Sequence, residues 1–143
     1  MNNKQIIKIA HSGHVKIVEL LIRAECDINA CDKNKWTPLM NACYWANEDA
    51  VLVLLKSGAD SNLRNIVRKN LWNYKNYDKI NWFINKIQDG RTALHEVCRS
   101  PATQKEDVLA RIAKRLIQSG SDVNLASSSQ VKSNFNKICT HIL

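Results

Sequence analysis

His95 and Cys98 stand three residues apart, a spacing that puts two side chains on one helix face. A thiol beside an imidazole is the arrangement of a cysteine nucleophile, so this pair is the first candidate for chemistry. The five cysteines, Cys26, Cys31, Cys43, Cys98 and Cys139, with His11, His14, His95 and His141, are the residue types that hold zinc. Their spacing argues against it. No C-x-x-C pair occurs, the cysteine count is odd, and tetrahedral structural sites show tight paired ligands. Buried small hydrophobes are the simpler role for these thiols. Glu48-Asp49 and Glu106-Asp107 are adjacent acids, placed where they complement a helix dipole and not where two carboxylates share a substrate. There is no Gly-rich phosphate loop, no G-x-S-x-G and no H-E-x-x-H. The residues therefore predict a protein with no catalytic set, no metal and no cofactor.

The elements that would position side chains come next. The chain has 143 residues, of which 45% are apolar, enough to bury one core of ordinary size. No apolar run approaches the roughly 20 residues that a membrane span needs. The beginning, MNNKQIIKIAHSG, lacks the charged-then-apolar layout of a secretory leader, so a cytoplasmic and/or nuclear location is the expectation. The net charge of +8 predicts attraction to acidic surfaces.

Residues 36–62 carry the strongest local pattern. Thr37-Pro38 is a helix start: a capping hydroxyl, then a ring whose fixed φ suits the first helical position. A short apolar helix follows over Leu39 to Cys43. After a turn near Ala46-Asn47 comes a second helix with Val51, Leu54 and Leu55 at i, i+3, i+4. Gly58 ends it, because glycine enters the left-handed region without a Cβ penalty. Asp27-Ile28-Asn29 and Asp60-Ser61-Asn62 lie 33 residues apart, and Asp122-Val123-Asn124 repeats the phrase 62 residues later. All four glycines, Gly13, Gly58, Gly90 and Gly120, fall at turn slots of this repeat.

This stretch resembles an ankyrin repeat. The family pattern, G-x-T-P-L-H-x-A-A then I-V-x-x-L-L-x-x-G-A-D-V-N, stands here as TPLMNAC and AVLVLLKSGADSN. Lys35 replaces the family's Gly, Met40 its His and Ser61 its Val; Asn34 is expected to take the positive φ that Lys35 tolerates poorly. The resemblance implies an all-α ankyrin-repeat solenoid, stacked helix-turn-helix units joined by short β-hairpin-like loops, in one domain over 1–143. Its units run about 4–31, 32–64, a degenerate 65–88, 89–126 with a loop insertion near 99–106, and a terminal half-repeat over 127–143. The first unit has Val15, Ile17, Val18, Leu21 and Ile22 as the apolar face of its second helix, with Glu25 where a glycine cap is usual. The fourth has Val108, Leu109, Ile112, Ala113, Leu116 and Ile117. Residues 65–88 lack a TPLH-like start; a helix is expected at about 78–87, and an insertion in a hairpin is the alternative to a shrunken repeat. The family pattern also accounts for His95, as a structural partner of Thr92, and for Cys43 and Cys98, as small buried residues.

The family resemblance implies binding of another protein on the concave surface, with no small-molecule substrate and no membrane. Carried onto this sequence, the positions are Lys33, Asn34 and Trp36 on one hairpin, Tyr44 and Trp45 at a helix end, His11 and Arg99 at the matching ends, and Arg91 on a second hairpin. Trp, Tyr and Arg are the residue types most often found as interface anchors. The net charge points to an acidic partner surface. By analogy, scaffold, inhibitor and adaptor roles all fit, including inhibitors of the inhibitor-of-NF-κB type. The alternative is a nucleic-acid-associated protein working through 64–86, where Arg64, Arg68, Lys69 and Lys75 are interleaved with aromatics, as single-strand binders arrange them.

Overall fold

The computed structural model describes residues 4–66, 90–102 and 104–123, and the helical positions 136 and 140. Among the described residues there are six helices and no strand. They are α1 (Lys4–Ser12), α2 (Val15–Arg23), α3 (Pro38–Tyr44), α4 (Glu48–Lys56), α5 (Ala93–Cys98) and α6 (Glu106–Gln118).

Local chemistry sets the helix ends. The Thr37 hydroxyl accepts a hydrogen bond from Met40 N at 3.2 Å, and Pro38 follows at the first helical position. At α5 the side chain of His95 does the reciprocal work: Thr92 N donates to Nδ1 at 3.2 Å, and the Thr92 hydroxyl lies 2.9 Å from the same nitrogen. A backbone N–H can only donate, so Nδ1 is an acceptor and the neutral ring carries its proton on Nε2. Four helix exits share one geometry. Cys26 N bonds to Leu21 O, Asn47 N to Ala42 O, Ala59 N to Leu54 O, and Ser121 N to Leu116 O, each just after a residue in the left-handed region. That residue is Glu25 (φ 55), Ala46 (φ 54), Gly58 (φ 88) and Gly120 (φ 88) in turn.

The helices pack as two layers. α1, α3 and α5 contact one another in sequence to form one layer, and α2, α4 and α6 form the other. Ile6, Ala10, Leu39, Met40, Leu54, Leu94, Ile112 and Leu116 fill the space between them and are almost fully buried. The buried stripes of α2 and α6 are narrower than the apolar pattern predicts. Val18 and Leu21 are buried with Val15 and Ile22 beside them, but Ile17 is 43% exposed; in α6 Ile117 follows buried Leu116 and is 36% exposed. A step of one residue turns a side chain by about 100°, out of a stripe set by i, i+3, i+4.

The D-x-N phrases explain how neighbouring units hold register. Each Asp closes its own turn: Asp27 Oδ1 accepts from Asn29 N at 2.9 Å, and Asp60 Oδ1 from Asn62 N at 2.8 Å. Each Asn then reaches to the next unit. Asn29 Oδ1 accepts from Asp60 N at 2.9 Å, Asn62 Oδ1 accepts from Asp122 N at 2.8 Å, and Asn62 Nδ2 donates to Gly120 O at 3.1 Å. So the unit of α3 and α4 lies directly against that of α5 and α6. Backbone pairs agree: Asn65 N donates to Arg91 O at 3.0 Å, and Ile66 N to Asn34 O at 2.8 Å. This packing leaves no layer between the two units. Residues 67–89, which decide between a shrunken repeat and an insertion in a hairpin, lie outside the described residues, as do the helix expected at about 78–87 and most of the half-repeat at 127–143.

Two backbone expectations are corrected. Lys35 itself takes the positive φ (60°), not Asn34. Asn34 is instead engaged on both sides, its N donating to Asp32 Oδ1 at 2.8 Å and its carbonyl accepting from Ile66 N. Unlike Gly58 and Gly120, whose φ is positive, Gly90, expected at a turn slot, is held to glycine for a different reason. A Cβ there would lie 2.4 Å from Asn65 O, so close strand-like approach, not turn geometry, is what demands glycine.

Candidate functional site

The first-layer helices are short and in register, so their C-terminal ends fall side by side. α1 brings His11, α3 brings Tyr44 and its C-cap Trp45, and α5 is capped by Arg99. The rings touch in sequence. His11 and Trp45 have centroids 4.5 Å apart, Trp45 and Tyr44 5.3 Å, and Tyr44 and Trp36 5.6 Å, the last two edge to face. Such pairs contribute roughly 0.5–1.5 kcal/mol each beyond area burial. Trp36 is partly buried against the core, its N donating to Asp32 Oδ1 at 2.9 Å, which ties the hairpin to the ring cluster. Trp45 is 39% exposed, and His11 beside it is exposed as well.

Arg99 closes the far side. Its guanidinium carbon lies 6.0 Å from the Tyr44 centroid, within cation–π range. Its Nη1 donates to Glu96 Oε2 at 2.9 Å. Glu96 is fully buried at 0% exposure, and its other oxygen accepts from Asn65 Nδ2 at 3.0 Å. Burial pushes the Glu96 carboxyl above its ordinary value, while Arg99, the Asn65 hydrogen bond and Arg91 pull the other way. Asn65 also fixes Arg91, accepting from Arg91 N at 2.9 Å. Partial burial, with the like charge of Arg99 adding, lowers the Arg91 guanidinium from its ordinary value, so the two arginines lie within electrostatic reach.

His11, Trp36, Tyr44, Trp45 and Arg99 are thus one continuous cluster across three units. Lys33 is exposed on the hairpin; Asn34 serves that hairpin mainly through its backbone; Arg91 is tied to Glu96 through Asn65. Arg64 donates from Nη1 to Gly90 O at 3.4 Å, while Arg68, Lys69 and Lys75 lie outside the described residues. The Cys–His pair is embedded: His95 and Cys98 are both buried, and Nδ1 of His95 is committed to Thr92. Burial, with Glu96 adding, pushes the Cys43 thiol far up, away from the reactive thiolate. Glu96 and Asn65 are the residues that the sequence reasoning missed. The readable trace was Glu96 and Arg99 at i, i+3 in a six-residue helix otherwise apolar but for His95.

A family model described as "Ankyrin repeats (3 copies)" matches residues 2–65, and one described as "Ankyrin repeat" matches residues 89–128. The chain belongs to the ankyrin-repeat family. Among curated relatives, this ankyrin-repeat chain is 30% identical over 86 residues to Protein phosphatase 1 regulatory subunit 12A of Mus musculus, covering 60% of the chain and 8% of that protein. It is 41% identical over 56 residues to Ankyrin repeat and SAM domain-containing protein 6 of Mus musculus, covering 38% of the chain and 6% of that protein. With the 2-5A-dependent ribonuclease of Homo sapiens it shares 36% identity over 64 residues, covering 44% of the chain and 9% of that protein. The matched part is under a tenth of each relative's length. The protein is an ankyrin-repeat interaction module, and no helix of the described residues is long and apolar enough to cross a membrane.

Proposed function

We propose that the chain binds one partner protein on the face built from the first-layer helix ends and the hairpins, and that it acts there as scaffold, inhibitor or adaptor without catalysing a reaction. The observation that carries this reading is the ring cluster His11–Trp45–Tyr44–Trp36, closed by Arg99. It spans three units and leaves Trp45 accessible. Aromatic rings fixed by their neighbours lose little entropy on binding, which is why such residues dominate interface energetics. The +8 net charge favours an acidic partner surface. One relative's name describes a regulatory subunit of a phosphatase, which accords with a module that recruits or restrains. The ribonuclease activity in another relative's name is said of that protein, of which the matched part is 9%.

The test is a pull-down from cell extract with the intact chain against a Tyr44→Ala/Trp45→Ala double variant. Circular dichroism and thermal melting of both report the fold. A specifically retained protein should be lost with the double variant, by about tenfold or more in affinity, since central aromatic anchors contribute about 2 kcal/mol or more. Retention that is unchanged in the variant but falls steeply with salt, and vanishes when Arg68, Lys69 and Lys75 are neutralised, would point to nucleic acid instead.

A further inference from the structure

Arg99 pairs with the buried carboxylate of Glu96, and Asn65 ties the Arg91 backbone to the same carboxylate. Both oxygens of Glu96 are already engaged, one by Asn65 and one by Arg99. Arg99 spends one of its five N–H donors on that contact and keeps the rest, with its side chain 35% exposed. Arg91 makes no ion pair with a described carboxylate; the pairs within 4.0 Å are Arg99–Glu96 and Arg111–Glu48. Among the described residues, two guanidinium charges stand against one carboxylate at the edge of the ring cluster, an excess of about one positive charge. The fork of Arg99 is not free to wander: Glu96 holds one nitrogen, and the guanidinium carbon sits over the Tyr44 ring at 6.0 Å from its centroid.

We propose that Arg99, braced by Glu96 and laid against Tyr44, forms with Arg91 a seat for a side-chain carboxylate of the partner's bound segment. The seat rests on the reading of this face as the binding surface, and it specifies the segment: an acidic residue next to a bulky apolar or aromatic one that packs on Trp45. A held guanidinium offers paired parallel N–H donors to a carboxylate, which a lysine in the same place does not. Glu96 is a positioning residue in this scheme, acting through Arg99.

The experiment uses the isotope-labelled full chain and two probes, acetyl-Glu-Trp-Glu-amide and acetyl-Gln-Trp-Gln-amide. Side-chain resonances of Arg99 Nε and Trp45 Nε1 report the two halves of the face. Both peptides should shift Trp45, only the glutamate peptide should shift Arg99, and the glutamate peptide should bind about tenfold tighter. Arg99→Lys, which keeps the charge, should abolish that preference while the Trp45 response persists; Arg111→Lys, in the outer pair with Glu48, should change nothing. Equal affinity of the two peptides, or an undiminished preference in Arg99→Lys, overturns the seat and leaves the aromatic surface standing. If neither peptide moves Trp45 at millimolar concentration, the seat and the binding face fall together.

Discussion

Glu96 is a carboxylate held where water cannot reach it, and its protonation should be visible in stability. Burial raises its folded value above the ordinary 4.5. The folded chain then takes up this proton more readily than the unfolded chain. By linkage, stability from this group is fully present below the ordinary value and is lost as pH rises through the raised one. The wild-type protein should therefore gain stability relative to Glu96→Gln as pH falls from 7 towards 4.5, read by urea unfolding at several pH values. A flat difference between the two curves would show that Glu96 is not shifted. A second residue carries a backbone cost. Glu25 sits at φ 55, where the Cβ of an L-residue crowds the following carbonyl. It is exposed, so nothing is lost by removing the side chain. Glu25→Gly should raise unfolding free energy by up to about 1 kcal/mol, the left-handed penalty less glycine's extra entropy.

Helices and their joints explain which parts of the fold could be read from the chain. Thr37-Pro38, Gly58 and Gly120 act within a few residues, so their caps and exits were legible from local chemistry. The apolar period gave the buried faces of α2 and α6 but over-extended them to Ile17 and Ile117, because period alone does not fix the width of a stripe. Layer order was not legible, since Asn62 and Asp122 are 60 residues apart and their bond exists only once the stack has formed. For the same reason the ring residues were named but their contact sequence was not, and Glu96 was missed because its partner Asn65 lies 31 residues away. One joint links stability to the site. Asn47, at the start of α4, donates from Nδ2 to Ala10 O at 3.0 Å and His11 O at 2.8 Å, satisfying carbonyls at the end of α1. Asn47→Ala should cost about 1–2 kcal/mol and should speed amide exchange of the last turn of α1, beneath Trp45. An unchanged exchange rate there would refute the link.

At the scale of the whole molecule the described stack is built from nearest-neighbour contacts, and Asn65-Ile66 and Gly90-Arg91 meet at one place in it. The residues flanking 67–89 are adjacent, as the Asn65–Arg91 pair and the tight approach of Gly90 to Asn65 show. Replacing 67–89 by a short turn should therefore leave the cooperative unfolding intact. It should stabilise the protein by about 1.5 kcal/mol, the difference in loop-closure entropy for a loop several-fold shorter. Collapse of the fold in that variant would favour the degenerate repeat over the insertion. Partner binding through Trp45 should survive the replacement, and binding through Arg68, Lys69 and Lys75 should not.

The same adjacency has a bearing on how the gene product can be divided. α3 meets α5 and α4 meets α6 without a covalent link at the contact, with the Asn62 bridge across the join and Arg111 clasping Glu48 at 2.9 Å. A single proteolytic nick between 67 and 89 would sever the polypeptide without severing any of those contacts. Two fragments, expressed apart and mixed, have the complementary faces needed to rebuild one particle, and the ring cluster with Arg99 would reappear only when they do.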